Sequence, residues 1–69
     1  MNKKEFIKSQ FDVCVEAGLT TSVHFYAGMA LGRAIETGEY GELEPFIQRC
    51  RWDAIDRIKK TQQGACHEL

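Results

Sequence analysis

Cysteine and histidine are the residue types in this 69-residue sequence best suited to metal binding or nucleophilic chemistry. A structural zinc site takes four such ligands at short repeated spacings. The sequence has one adjacent pair, Cys66-His67, and two neighbours do not readily ligate the same ion. Cys14 and Cys50 stand alone, and the total of three cysteines is odd. We therefore expect no metal site and interpret the cysteines as reduced, structural residues.

Catalysis would require a nucleophile or an acid–base pair held in a pocket. His24 has Thr20 and Gly28 one turn away on either side, and neither can act with it as an acid or base. Two carboxylate pairs, Glu42 with Glu44 and Asp53 with Asp56, lie on a predicted helix rather than in a cleft. Helical chains of this length rarely enclose a pocket of about 300 Å³ or more. The sequence therefore predicts neither an enzyme nor a cofactor site.

The composition is that of a single globular domain that has to position these residues. Hydrophobic residues make up 43% and charged residues 28%, and the formal net charge is −1. That balance excludes a strongly basic nucleic-acid wrapper and a disordered acidic chain. No apolar run approaches a membrane span, and the start Met1–Phe6 has no apolar segment behind its lysines. We expect a cytoplasmic protein that does not enter a membrane.

Apolar spacing predicts an all-α fold, a small three-helix domain with helices at about residues 3–17, 22–36 and 42–60. We expect one domain at 1–60 and a flexible tail at 61–69. Gly18 stands where a left-handed helix cap is expected, and the glycines of the segment 37–41 mark the second break. Pro45 favours a first turn, which places the start of the third helix near residues 41–44. The apolar stripes of the first and third helices are Ile7, Phe11, Cys14 and Val15, and Leu43, Phe46, Ile47, Cys50, Ala54, Ile55 and Ile58.

The second predicted helix is apolar on almost every side, which is typical of a central helix. Because two other helices can hardly cover it, we expect apolar surface that pairs with a partner or with a second copy. Gly28 and Gly32 lie one turn apart within it. They either let another helix approach closely, across a dimer axis, or accommodate a large side chain from a neighbouring helix of the same chain. Both interpretations predict that these positions do not tolerate bulk.

Aromatic side chains and arginines dominate the binding energy of protein interfaces, so they are the candidate partner contacts. Trp52 falls off the third apolar stripe, so it either packs on the flank of the core or forms part of a contact patch. The favoured function is a small protein-binding regulator, adaptor or inhibitor that acts as a homodimer on a larger protein. The candidate contact residues are Phe25, Tyr26, Tyr40, Arg49, Arg51 and Trp52.

The alternative function is a small DNA-binding transcriptional regulator that uses the third helix. This helix carries five basic residues, but it also carries four acidic ones. Opposite charges recur four residues apart at Arg49–Asp53, Asp53–Arg57 and Asp56–Lys60, a pattern typical of a solvated helix face. Phosphate binding needs uncompensated positive charge. The charge pattern therefore disfavours nucleic acid as a partner.

Two segments resemble the small PerC-type regulators of enterobacteria. They are Glu16-Ala17-Gly18-Leu19, leading to Phe25-Tyr26, and the run from Glu44 to Arg49. The basic content of that group is higher than in this chain. The resemblance implies a regulatory role and assigns no role to any single residue.

Overall fold

The chain folds into three α-helices in the computed structural model, which describes the backbone of residues 2–67 and the side chains of residues 2–61. Helix α1 covers Lys3–Ala17, α2 covers Thr20–Thr37 and α3 covers Tyr40–His67. No strand occurs between residues 2 and 67. The predicted all-α, three-helix fold is therefore confirmed.

Glycine forms both connections between helices, as the sequence predicted. Gly18 has φ 71° and Gly38 has φ 76°, the left-handed conformation that costs glycine little. The Gly18 N–H donates to the carbonyls of Cys14 and Val15, which closes the end of α1. Each glycine is followed by one residue before the next helix begins, so the connections are tight.

The structure corrects the starts of the second and third helices. Helix α2 begins at Thr20 rather than Ser22, and Leu19 precedes it without a side-chain cap. Helix α3 begins at Tyr40, which makes Pro45 its sixth residue rather than a residue of the first turn. Pro45 has no N–H to donate to the carbonyl of Gly41. The helix therefore lacks one backbone hydrogen bond close to its N-terminus, where the first N–H groups have no partner within the helix anyway. The tight glycine turns therefore determine where these helices begin.

The far end of α3 lies beyond the predicted boundary near residue 60. The helix extends to His67, so the predicted span 42–60 lies within it. The predicted tail, 61–69, falls largely outside the described side chains, which end at Thr61.

The core consists of aliphatic side chains around Phe11 and matches the predicted stripes. In α1 the buried side chains are Ile7 and Phe11, with Cys14 and Val15 packed against them. No polar or charged residue is buried among residues 2–61. The third stripe is likewise buried or packed on the core, from Leu43 to Ile58. The buried surface of this small domain is therefore almost purely apolar.

The expectation that the second helix is central is wrong. Both α1 and α2 pack against α3 more extensively than against each other, so α3 is the helix that the other two share. Helix α3 is also the longest, with 28 residues against 18 in α2. Part of the apolar surface of α2 itself therefore stays uncovered.

Within residues 2–67, no helix combines the length and the apolar character needed to cross a membrane.

Candidate functional site

Three of the four buried residues of helix α2 are alanines, whereas three of its larger apolar side chains are exposed. Its buried residues are Val23, Ala27, Ala30 and Ala34. Three larger side chains point away from the core: Phe25 is 69% exposed, Ile35 63% and Met29 47%. Surface helices of globular proteins normally show the reverse arrangement, with large apolar residues toward the core. This face of α2 is the first part of the candidate site.

The two internal glycines of α2 lie on the same outward face. A Cβ atom built on Gly28 or Gly32 would meet nothing within 4 Å. Among residues 2–61, no large side chain of a neighbouring helix occupies the space beside them, which contradicts the intrachain interpretation. Together with Phe25 and Ile35, the glycines form a line at intervals of three, four and three residues, which follows one side of a helix. We call the set Phe25, Gly28, Gly32 and Ile35 the α2 stripe.

Trp52 of α3 lies at the surface beside α2 and is 57% exposed. Its indole ring packs edge to face on the His24 imidazole, with ring centroids 5.7 Å apart. The Arg51 guanidinium lies 5.2 Å from the indole centroid. Arg51 Nε also donates to His24 Nδ1 over 3.0 Å, so the three side chains support one another. We call them the Trp52 cluster.

The remaining candidate contacts occupy different positions. Tyr26 is half-buried, with its ring 5.1 Å from that of Phe11, so most of it belongs to the edge of the core. Burial raises the pKa of its hydroxyl, and the positive charge of Arg33 acts in the opposite direction. Tyr40 is exposed at the start of α3 and Arg49 is exposed midway along it. The structure thus brings Arg51 and Trp52 together. Tyr40 lies about three turns away at the start of α3, and Arg49 borders a shallow groove with Lys8 and Asp12 of α1.

Two basic residues of α3, Arg57 and Lys60, form ion pairs. Arg57 lies 3.0 Å from Asp12 of α1 and 3.8 Å from Asp53. Lys60 lies 3.1 Å from Asp56. Two of the three predicted pairs within the helix are therefore present, and Arg57 also ties α3 to α1. Exposed pairs of this kind contribute little to stability, but they reduce the positive charge available on this face.

A groove between α1 and α2, which the sequence analysis missed, opens beside the core. It has a volume of about 490 Å³ and is open along one side. Ala30 and Ala34 line it from α2, and Phe6 and Ile7 line it from α1. The expectation concerned enclosed pockets, and this groove is open, so it is not a counterexample. Small alanines at core positions of α2 were the available signal, because they leave space between the helices.

Cys14 and Cys50 are half-buried free thiols. Burial raises the pKa of both, and the nearby Asp53 carboxylate adds to the effect at Cys50. A raised pKa keeps a thiol protonated and poorly nucleophilic near neutral pH. In the described part of the chain, no group of three or more potential ligands could hold a metal ion. The side chains of Cys66 and His67 lie outside that part.

Comparison of the chain with protein-family models, curated proteins and solved structures gives no match, so the resemblance to PerC-type regulators gains no support from it.

Proposed function

We propose that this protein is a small protein-binding regulator, adaptor or inhibitor, and that it works as a homodimer formed through the α2 stripe. The observation that carries the proposal is the inverted arrangement of α2, with alanines inside and Phe25 and Ile35 outside. Large contiguous apolar patches on a protein surface mark interaction sites. The proposal therefore assigns function to a surface rather than to a catalytic pocket.

The glycines of the stripe supply a second line of support. Each internal glycine costs a helix about 1 kcal/mol relative to alanine. Nothing in the described part of the chain approaches Gly28 or Gly32 closely enough to offset that cost. Close approach of another helix backbone would do so, because a glycine surface lets two helices come nearer than any larger side chain.

The order of residues in the stripe favours a second copy as the partner. Reversing the stripe gives the same pattern of large residue, glycine, glycine and large residue, with the same spacing. In a twofold antiparallel pair, Phe25 would therefore lie opposite Ile35 of the other copy, and Gly28 opposite Gly32. A twofold interface requires this kind of self-complementary patch.

A larger partner protein would use the Trp52 cluster. Tryptophan and arginine are the residue types most enriched in interface hot spots. Trp52 and Arg51 are also held in place by His24, so less side-chain freedom would be lost on binding. The cluster thus combines exposed area with a preformed arrangement.

The alternative, DNA binding through α3, has less support. Arg57 and Lys60 are paired with carboxylates, and Arg51 is bonded to His24 and Gln48. DNA phosphates would have to displace those partners to contact the three side chains. Because affinity for phosphate comes mainly from cations that have no other partner, these residues would contribute little.

Sedimentation equilibrium of the full chain over a range of concentrations tests the homodimer. We expect the fraction of dimer to rise with protein concentration. The dissociation constant of the dimer should change little with added salt, because the interface is apolar. Leucine at Gly28 has open space within the monomer. Gly28→Leu should therefore keep the helical circular dichroism of the wild type and lose the dimer.

Gly41→Leu is the matched control, because Gly41 also has open space but lies in the first turn of α3. It should fold and dimerise as the wild type does. A wild-type chain that stays monomeric at all concentrations would refute the homodimer. A dimer that survives Gly28→Leu would move the interface to another face.

A further inference from the structure

We propose that the groove between α1 and α2 binds a single-chain amphiphilic carboxylate, with the apolar chain along the groove and the carboxylate on Arg33. This groove lies on a different face of α2 from the α2 stripe. The inference therefore goes beyond the proposed protein-binding function and does not depend on it.

The groove has an apolar floor, and the side chains of residues 2–61 leave the space above it unfilled. Ala30 and Ala34 present single methyl groups one turn apart, while Ile7 and Leu43 close the floor. Phe6 of α1 stands largely exposed at its margin. An apolar chain in this space would remove the exposed rim from water, and the burial of its own methylene groups would favour binding.

The charges around the groove favour a ligand with a single negative charge. Lys3 is bonded to Glu39 across one end of the groove, so those two charges compensate each other. Arg33 lines the same groove and has no ion pair or hydrogen bond from its side chain to residues 2–61. A guanidinium group can form two parallel hydrogen bonds with one carboxylate.

The dimensions of the groove fit an extended chain better than a compact ring system. On α2 the lining residues extend from Tyr26 to Thr37, which is about 16 Å along a helix axis. The volume of about 490 Å³ lies in the usual range for small-molecule sites, roughly 300–1,000 Å³. Because one side is open, the ligand would lie lengthwise with part of its surface in water.

Titration of the full chain with decanoate, followed by ¹H–¹⁵N correlation spectra, tests the proposal. Decanoate is used below its micelle-forming concentration, and decan-1-ol and decyltrimethylammonium are titrated in parallel. We expect saturable shifts at Phe6, Met29 and Ala30 with decanoate. The alcohol should bind more weakly and the cation most weakly, because neither can pair with Arg33.

Two variants with the same net charge separate a specific contact from general attraction. Arg33→Gln should weaken decanoate binding by about three- to fivefold, because Arg33 is exposed and exposed ion pairs are weak. Lys59→Gln, on an exposed part of α3, should leave binding within about twofold of the wild type.

Three results would overturn the proposal. One is the absence of saturable shifts, and another is equal binding of all three probes. The third is a set of shifts at Trp52 rather than in the groove. Because the readout is local, loss of the proposed homodimer would not produce any of these results.

Discussion

The His24 imidazole and the Trp52 indole, which belong to different helices, pack edge to face with ring centroids 5.7 Å apart and planes at 71°. Arg51 completes the contact by donating to His24 Nδ1. That nitrogen can accept only when it carries no proton, so the bond defines which imidazole nitrogen bears hydrogen in the neutral ring. A half-buried histidine thus holds an exposed tryptophan at the surface.

Replacing Trp52 with alanine should reduce stability only modestly. The residue is largely exposed, and an aromatic pair contributes about 0.5–1.5 kcal/mol beyond its buried area. Together with the covered part of the side chain, this predicts that the free energy of unfolding, measured in urea by circular dichroism, falls by no more than about 3 kcal/mol. Phe46→Ala is the control. Phe46 packs against the core, so its replacement should lower the free energy of unfolding more. A larger loss of stability in Trp52→Ala than in Phe46→Ala would show that Trp52 is part of the core.

Replacing Gly28 with alanine should stabilise the monomer. The position is helical and a Cβ atom has open space there, so the gain is about 1 kcal/mol in helix propensity. Gly18→Ala should have the opposite effect and cost about 1 kcal/mol or more, because φ is 71° at Gly18. Thermal unfolding at concentrations below dimer formation measures both effects. A loss of stability in Gly28→Ala under those conditions would reveal an intrachain contact at this face.

Two isoleucines provide a matched test of which helix faces are buried. Ile47 is 0% exposed in the core of α3, whereas Ile35 points outward from α2. Ile47→Ala should cost about 2–5 kcal/mol, enough to unfold much of so small a domain. Ile35→Ala should change the stability of the monomer by no more than about 0.5 kcal/mol. Equal losses in urea unfolding would contradict the inverted arrangement of α2.

The ion pair between Lys3 and Glu39 should make the stability of the fold vary with pH in the acid range. The hydrogen bond from Lys3 lowers the pKa of the Glu39 carboxyl. A carboxyl whose pKa is lower in the folded state stabilises the fold above its unfolded pKa. That contribution is lost as the pH falls through the folded value. We therefore expect the stability difference between wild type and Lys3→Gln to disappear at acid pH.

A carboxyl titration followed by NMR checks the same pair directly. Lys3→Gln should raise the pKa of Glu39 toward its ordinary value. Lys4→Gln is the control, since the Lys4 ammonium lies over the Phe46 ring rather than beside Glu39. An unchanged Glu39 pKa in Lys3→Gln would mean that this ion pair does not form in solution.

Local features of the sequence determined the helices and most of the core. The spacing of Ile7 and Phe11, and of Leu43, Ile47 and Ile58, identifies buried faces because helical side chains three and four residues apart share one side. Gly18 was identifiable as a cap because glycine adopts the left-handed conformation at little cost. The excess apolar surface of α2 was also predictable, since two neighbouring helices could not cover it.

Only the tertiary structure decided which side of α2 faces inward. Its sequence is apolar almost all round, so periodicity does not distinguish a face of alanines from a face with Phe25 and Ile35. The choice depends on how the three helices pack together, which the periodicity of one helix does not specify. The groove beside Ala30 and the contact between His24 and Trp52 follow from that choice. Both join residues far apart in the chain, so only packing of the helices brings them together.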